Sequence, residues 1–271
     1  MVIPVHDVVP VRRTPWVTYL LIAANVVIFL FTPAAQDTGV EGVSLSELCR
    51  QEAFYDRLAA IPREMVENEQ LPAVPTGQVR VGERGAGCVI GPPAYDKIPA
   101  LSVLYSMFLH GSWLHLLGNM LFLWVFGNNV EDRFGPVRYL LFYLLAGYVA
   151  AYGFAVVNRD LTQPLLGASG AVSGVLGAYL VLYPRARIWS LVPILLFLPL
   201  RLPAWLVLGL WFVLQWAYSS GYTISEAGSV AYLAHVLGFV FGALAAIPFL
   251  RRRPPYPYQR RWYRPTRRSR Q

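Results

Sequence analysis

Charged side chains are missing from long stretches of the chain. No Asp, Glu, Lys or Arg occurs from Tyr139 to Asn158, from Leu161 to Pro184, or from Leu202 to Ser225. Between Ala227 and Leu250 the only His, Asp, Glu, Lys or Arg is His235. Apolar runs of about 20 residues match the roughly 30 Å hydrocarbon core of a bilayer. The pattern predicts six spanning helices, near Trp16–Thr32, Trp113–Asn129, Arg138–Val157, Leu166–Tyr183, Pro203–Ser219 and Val230–Leu250. Arg12 and Arg13 before the first span and Ala34-Ala35 after it give it the layout of a signal peptide. Its apolar stretch is long for such a peptide and five more spans follow, so a retained helix is expected.

Polar sequence separates these spans unevenly. Residues 33–100 form a long segment between the first two. Within it, Ser44–Gln70 has helical spacing, with Leu45 and Leu48, then Tyr55 and Leu58. Leu71–Pro93 is rich in Pro and Gly and reads as extended loop. Ile188–Leu200 is apolar but short for a span, and Pro193 and Pro199 interrupt it, so it reads as an interfacial hairpin on the cytoplasmic side. No repeat of solenoid or propeller length is visible. The expected fold class is all-α, a polytopic membrane protein of six transmembrane helices with a long extracytoplasmic loop between helices one and two. The expected organisation is a cytoplasmic N-terminus (1–15), helix one (16–32), an extracytoplasmic insert (33–100), a core of helices two to six (101–250) and a basic cytoplasmic tail (251–271).

Composition agrees with this class. Mean hydropathy is +0.44. Charged residues make up 14% of the chain, against about 25% in soluble domains. The net charge of +8 is concentrated in nine arginines between Arg251 and Arg270. Such a tail anchors topology and meets anionic lipid head groups, which leaves no need for a nucleic-acid partner. The remaining basic residues alternate along the chain. Arg12 and Arg13, Arg133 and Arg138, and Arg185, Arg187 and Arg201 fall on one side, while the short loops of the other side hold only Arg159. Both termini are therefore expected in the cytoplasm, with a bacterial inner or plasma membrane as the expected location. The long segment carries six basic and ten acidic residues, but long loops translocate largely regardless of charge. Its two cysteines, Cys49 and Cys88, are expected to form one disulfide. The alternative is two unpaired small apolar residues.

Polar groups within apolar runs are costly and point to function. Ser169 stands in Gly167-Ala-Ser-Gly170-Ala, at the start of the fourth span, where free backbone N–H groups suit a developing oxyanion. His235 stands early in the sixth span and is followed by Gly238 and Gly242, a small-residue face matching Gly170, Gly174 and Gly177. Apposing these faces brings the imidazole to the hydroxyl, the arrangement of a serine nucleophile and its base. Ser169 also reads as one more small packing residue, and His235 as an interhelical hydrogen bond, although burying an imidazole in lipid is costly. No carboxylate is an obvious third member, and the distance from Glu226 to His235 is not fixed by sequence. His115 and Asn119 share a helix face and offer two donors to an oxyanion, or a structural hydrogen bond. His110, His115 and His235 are the residue type that binds zinc. There is no His-Glu-x-x-His and no carboxylate near them in sequence, so no metal or other cofactor is expected.

Four motifs taken together resemble the rhomboid intramembrane serine proteases. They are His110-Gly-Ser-Trp-x-His115-x-x-x-Asn119, Gly127 through Glu131-Asp-Arg133-Phe-Gly135, Gly167-Ala-Ser169-Gly, and Ala234-His235-x-x-Gly238-x-x-x-Gly242. Their order and spacing run from about Tyr95 to Leu250; residues 36–96 and the tail carry no matching motif. The resemblance implies a six-helix bundle with a water-filled cavity open to the outside. It implies Ser169 as nucleophile, His235 as general base, and His115, Asn119 and the Ser169 N–H as the oxyanion site. It makes Gly167, Gly170, Glu131, Arg133, Gly238 and Gly242 structural motif residues. The implied function is a serine endopeptidase acting on transmembrane segments near the outer interface. Its partners would be transmembrane protein substrates and the lipid bilayer. The alternative is a catalytically inactive relative that binds transmembrane helices. One position departs from the pattern. The family often carries an aromatic residue one turn after the nucleophile, and Ser173 stands there. A hydrogen bond or another aromatic such as Tyr232 is expected to hold His235 instead. Trp205, Phe212 and Trp216 on the fifth span are gate candidates, with the loop Ser219–Ser229.

Overall fold

The computed structural model describes residues 3–35, 44–82, 85–192, 198–220 and 231–250. The chain is mostly helical. Helix α1 runs over Trp16–Leu30, α7 over Pro136–Val157, α8 over Ser169–Leu182, α9 over Ala204–Ser219 and α10 over Tyr232–Ala246, followed by a 3-10 turn at Ile247–Phe249. The second predicted span is longer than expected. Helix α5 (Trp113–Phe122) passes through a π turn (Leu123–Gly127) into α6 (Asn128–Phe134) without a break. Gly135, with φ +83°, then turns the chain so that Pro136 opens α7. The helix expected as the fourth span begins at Ser169, three residues later than the expected Leu166.

Strand content is the main departure from an all-α pattern. Strand β1 (Ile3–Asp7) pairs antiparallel with β4 (Arg187–Val192), which pairs with β5 (Leu198–Pro203). The apolar stretch between α8 and α9 is thus a hairpin, as its length and prolines suggested, and the N-terminal segment adds a third strand to it. Pairing between residues this far apart leaves no local periodicity to read. Buried Asp7 accepts hydrogen bonds from Tyr179 Oη and Asn129 Nδ2, both at 2.7 Å, and ties β1 to α8 and α6.

The insert is ordered by local chemistry. Ser44 and Glu47 form a capping box that starts α2 (Leu45–Leu58). Pro62 opens α3 (Pro62–Glu67). The stretch expected as loop is a hairpin of β2 (Val74–Gly82) and β3 (Gly85–Gly91). A disulfide joins Cys49 of α2 to Cys88 of β3. Lys97 and Glu64, both buried, form an ion pair at 2.7 Å that fixes the approach to α4 (Pro99–Ser106), a short helix the hydrophobic pattern did not resolve.

The core lies among α1, the α5–α6 helix, α7 and α8. Phe29, Phe126, Tyr139, Tyr143 and Tyr179 are fully buried there. The outer faces of the helices are also apolar: Leu114 is 83% exposed, Val137 71% and Leu244 61%. Such faces fit a hydrocarbon solvent better than water. By length and composition, α7 and the stretch Tyr232–Phe249 are long and apolar enough to cross a membrane. The apolar helices α1, α8 and α9 are shorter, at 15, 14 and 16 residues.

Candidate active site

Ser169 is the first residue of α8, directly after Ala168 at the cap. Gly167 before it has φ +109°, a conformation that side-chain-bearing residues avoid. This kink aims the chain into α8, and the Gly167 N–H donates to Ser106 O at 3.0 Å. The insert braces the same loop: Leu165 N donates to Ala60 O at 2.7 Å and Ala60 N to Ser106 Oγ at 2.6 Å. The first N–H groups of α8 have no acceptor within the helix, so its positive end faces the hydroxyl.

His235 lies in the first turn of α10, and its Nε2 is 2.8 Å from Ser169 Oγ. Glycine packing makes this approach possible. A Cβ at Gly238 would collide with Gly170 O, one at Gly242 with Gly174 O, and one at Gly177 with Phe239 O. Three backbone-to-backbone contacts therefore set the separation and register of α8 and α10. Gly170 and Gly174 also lie against Ala150 and Ala146 of α7. Ser169 and His235 are each partly buried.

His115 and Asn119 meet this site from α5. Ser112 caps that helix, its side chain accepting from His115 N at 3.2 Å. A Cβ on Gly167 would lie 2.6 Å from His115 Nε2 and 3.6 Å from Asn119 Nδ2. Both side chains thus face the loop that carries Ser169. Asn119 Nδ2 also donates to His115 O at 3.0 Å. His110 is buried with its ring 5.0 Å from that of His115, and its carbonyl accepts from Tyr55 Oη of the insert at 2.7 Å. Among the described residues, no three His, Cys, Asp or Glu side chains gather as metal ligands.

Glu131 and Arg133 sit at the far end of the α5–α6 helix. Glu131 accepts from Val17 N (3.0 Å), Thr18 N (2.8 Å) and Thr18 Oγ1 (2.7 Å), completing the open start of α1. Arg133 donates to Phe249 O (2.7 Å) and Leu250 O (3.1 Å), completing the end of α10. Gly127 lies between them and the site, where a Cβ would meet Tyr139 Oη at 2.7 Å and Thr18 Cγ2 at 3.1 Å.

The surroundings of His235 depart from the expected aromatic stack. Ser173 turns away and donates to Ser169 O at 2.6 Å. Tyr232 stands edge-on, 6.3 Å between ring centres, and Trp211 lies at 6.1 Å. The second imidazole nitrogen, Nδ1, is 2.7 Å from Gln215 Oε1 on α9. Sequence reading overlooked Gln215, although it is the one amide in the charge-free run of α9 and that isolation was a usable signal. Of the gate candidates, Trp205 and Trp216 are exposed, whereas Phe212 packs on Phe239. Glu226, most of the Ser219–Ser229 loop and the arginine tail lie outside the described residues.

Residues 100–252 match the Rhomboid domain. The chain is 32% identical over 148 residues to Rhomboid protein 1, mitochondrial, of Saccharomyces cerevisiae, covering 53% of this chain and 40% of that protein. It is 27% identical over 174 residues to RHOMBOID-like protein 5 of Arabidopsis thaliana, covering 64% and 52%. It is 32% identical over 96 residues to the human Presenilin-associated rhomboid-like protein, mitochondrial, covering 34% and 25%. The chain thus spans about half or less of the length of these relatives. All three are eukaryotic and two are mitochondrial by name, so the similarity lends nothing to the expected bacterial membrane. The matched region takes in the four motifs, the glycine-locked helices and the bonded Ser169–His235 pair, and the chain belongs to the rhomboid family of integral membrane proteins.

Proposed function

We propose that the chain is an intramembrane serine endopeptidase that cleaves transmembrane segments of other proteins, with Ser169 as nucleophile and His235 as general base. One observation carries the reading: a 2.8 Å hydroxyl–imidazole contact between two helices whose backbones interlock. His235 Nε2 takes the proton as Ser169 Oγ attacks a substrate carbonyl. The oxyanion meets the Ser169 N–H and the side chains of His115 and Asn119, each such donor contributing at most about 3–4 kcal/mol. The imidazolium then protonates the leaving amine, and water hydrolyses the acyl-enzyme with His235 again as base. The substrate must unwind locally, because a helical carbonyl is already hydrogen-bonded.

The reading includes six spans, formed by α1, α5–α6, α7, α8, α9 and α10. The hairpin between α8 and α9 supports this count, since it starts Ser169 and His235 from the same face. Helix α8 rises only about 21 Å at 1.5 Å per residue. With its far end at the inner interface, Ser169 sits roughly 9 Å below the outer surface of a 30 Å core. Asp7, the start of α1, Glu131, Arg133 and the end of α10 gather at the opposite end, which supports both termini on the inner side. Residues 33–100 then form the outer insert, 101–250 the catalytic core, and 251–271 a basic tail against lipid. Substrate access past α9 fits the exposed Trp205 and Trp216.

An inactive relative that binds transmembrane helices would not require the Ser169–His235 contact, and no observation favours it. A fluorophosphonate probe should label the full chain in detergent, and Ser169→Ala and His235→Ala should each abolish labelling and cleavage of a reconstituted transmembrane substrate. Undiminished cleavage in either variant ends the dyad reading.

A further inference from the structure

Both nitrogens of the His235 ring have partners. Nε2 meets Ser169 Oγ at 2.8 Å and Nδ1 meets Gln215 Oε1 at 2.7 Å. The partners come from different helices, α8 and α9, so the ring is held from two sides. An amide oxygen only accepts hydrogen bonds. With Oε1 as its partner, Nδ1 is the donor that carries the proton, and Nε2 presents a lone pair. That is the tautomer able to receive the Ser169 proton; the other would donate to Ser169 Oγ and could not act as its base.

We propose that Gln215 is the positioning residue of the dyad, an uncharged third member that holds His235 as the Nδ1–H tautomer and fixes the rotation of its ring. The inference rests on the protease reading above and deepens it. Gln215 is 7% exposed within a helix whose other residues are apolar, aromatic, Gly or Ser. An amide there is costly unless paired. The aromatic groups near the imidazole leave this task open. Ser173 bonds backbone, Tyr232 is edge-on, and the Trp211 ring, one turn before Gln215 in sequence, lies 6.1 Å from the imidazole. These rings limit tilt, but none fixes which nitrogen bears hydrogen. When the imidazolium forms, its Nδ1–H still donates to Gln215 Oε1, and no proton passes to the amide. The amide dipole stabilises the cation less than a carboxylate would. Gln215 also belongs to α9, outside the interlocked α8–α10 pair, so the catalytic tautomer depends on α9 staying docked.

Four measurements on the full chain test this. In 15N spectra of selectively labelled histidine, wild-type His235 should show the Nδ1–H tautomer, and Gln215→Met, close in size, should show a mixture. Gln215→Met should lower kcat on the order of 100-fold with KM nearly unchanged, the scale of a misplaced general base. Gln215→Glu should restore much of the rate and move the acid limb of the pH–rate profile to higher pH, because a carboxylate beside Nδ1 favours the imidazolium. Ser169→Ala, run in parallel, should be dead. A wild-type Nε2–H tautomer overturns the proposal even if no variant folds. So does a Gln215→Met enzyme within threefold of wild type with an unchanged pH profile. An active Ser169→Ala enzyme instead overturns the protease reading itself.

Discussion

Substituting Gly238 by alanine tests the contact on which the site depends. The new methyl would overlap Gly170 O, with Gly170 C at 3.2 Å and Ala150 Cβ at 3.5 Å. The obstructing atom is backbone, one residue after Ser169, and cannot rotate aside. Reaching ordinary van der Waals distance requires α10 to move from α8 by on the order of 1 Å. The Ser169–His235 contact of 2.8 Å would then stretch beyond hydrogen-bonding range. Overpacking of this kind costs about 1–3 kcal/mol. A displacement near 1 Å between reacting groups costs roughly 100-fold in rate. Gly238→Ala should therefore lose two orders of magnitude in probe labelling and melt several degrees lower in detergent. Gly209→Ala is the control. Nothing lies within 4 Å of a Cβ there, and removing a mid-helix glycine should stabilise α9 by about 0.5–1 kcal/mol. Labelling and melting of Gly238→Ala indistinguishable from wild type would refute the claim that glycine contacts set the dyad distance.

Three further outcomes follow from other parts of the chain. Glu131→Ala should cost about 1–3 kcal/mol by stranding the Val17 and Thr18 donors, while the folded fraction labels normally; equal thermal midpoints would count against it. Cys49→Ser opens a loop spanned by 39 residues, worth ~4 kcal/mol on the chain-entropy account. Because Ala60 braces Leu165 and Ser106, labelling should slow as well, and protease sensitivity of the insert reads out the loosening. Asp7 titrates at about 6 instead of 3.8, chiefly through burial, with the Tyr179 hydrogen bond opposing. Its folded form holds a proton that the unfolded chain has lost, so stability should fall as pH rises from about 4 to 6, by up to about 3 kcal/mol. Asp7→Asn should flatten that dependence in hydrogen exchange of β1, and an unchanged pH profile would contradict the assignment.

Much of this molecule is legible along the chain because a bilayer punishes polarity so strongly. A hydroxyl in Gly167-Ala-Ser169 and an imidazole at 235 are conspicuous where their neighbours are hydrocarbon, and glycines at fourfold spacing announce a close helix contact. Helix positions, the hairpin before α9 and the Cys49–Cys88 pairing were readable from composition and spacing for the same local reasons. Tertiary structure alone decided the rest. Strand β1 exists only because a hairpin some 180 residues away lends it backbone partners. The β2–β3 hairpin is built from glycine- and proline-rich sequence, which reads locally as loop. The bond between Gln215 and His235 needs the crossing of α9 with α10, which no periodicity encodes. Sequence reports the cost of placing a group in its own segment, but which distant group relieves that cost depends on how the segments pack.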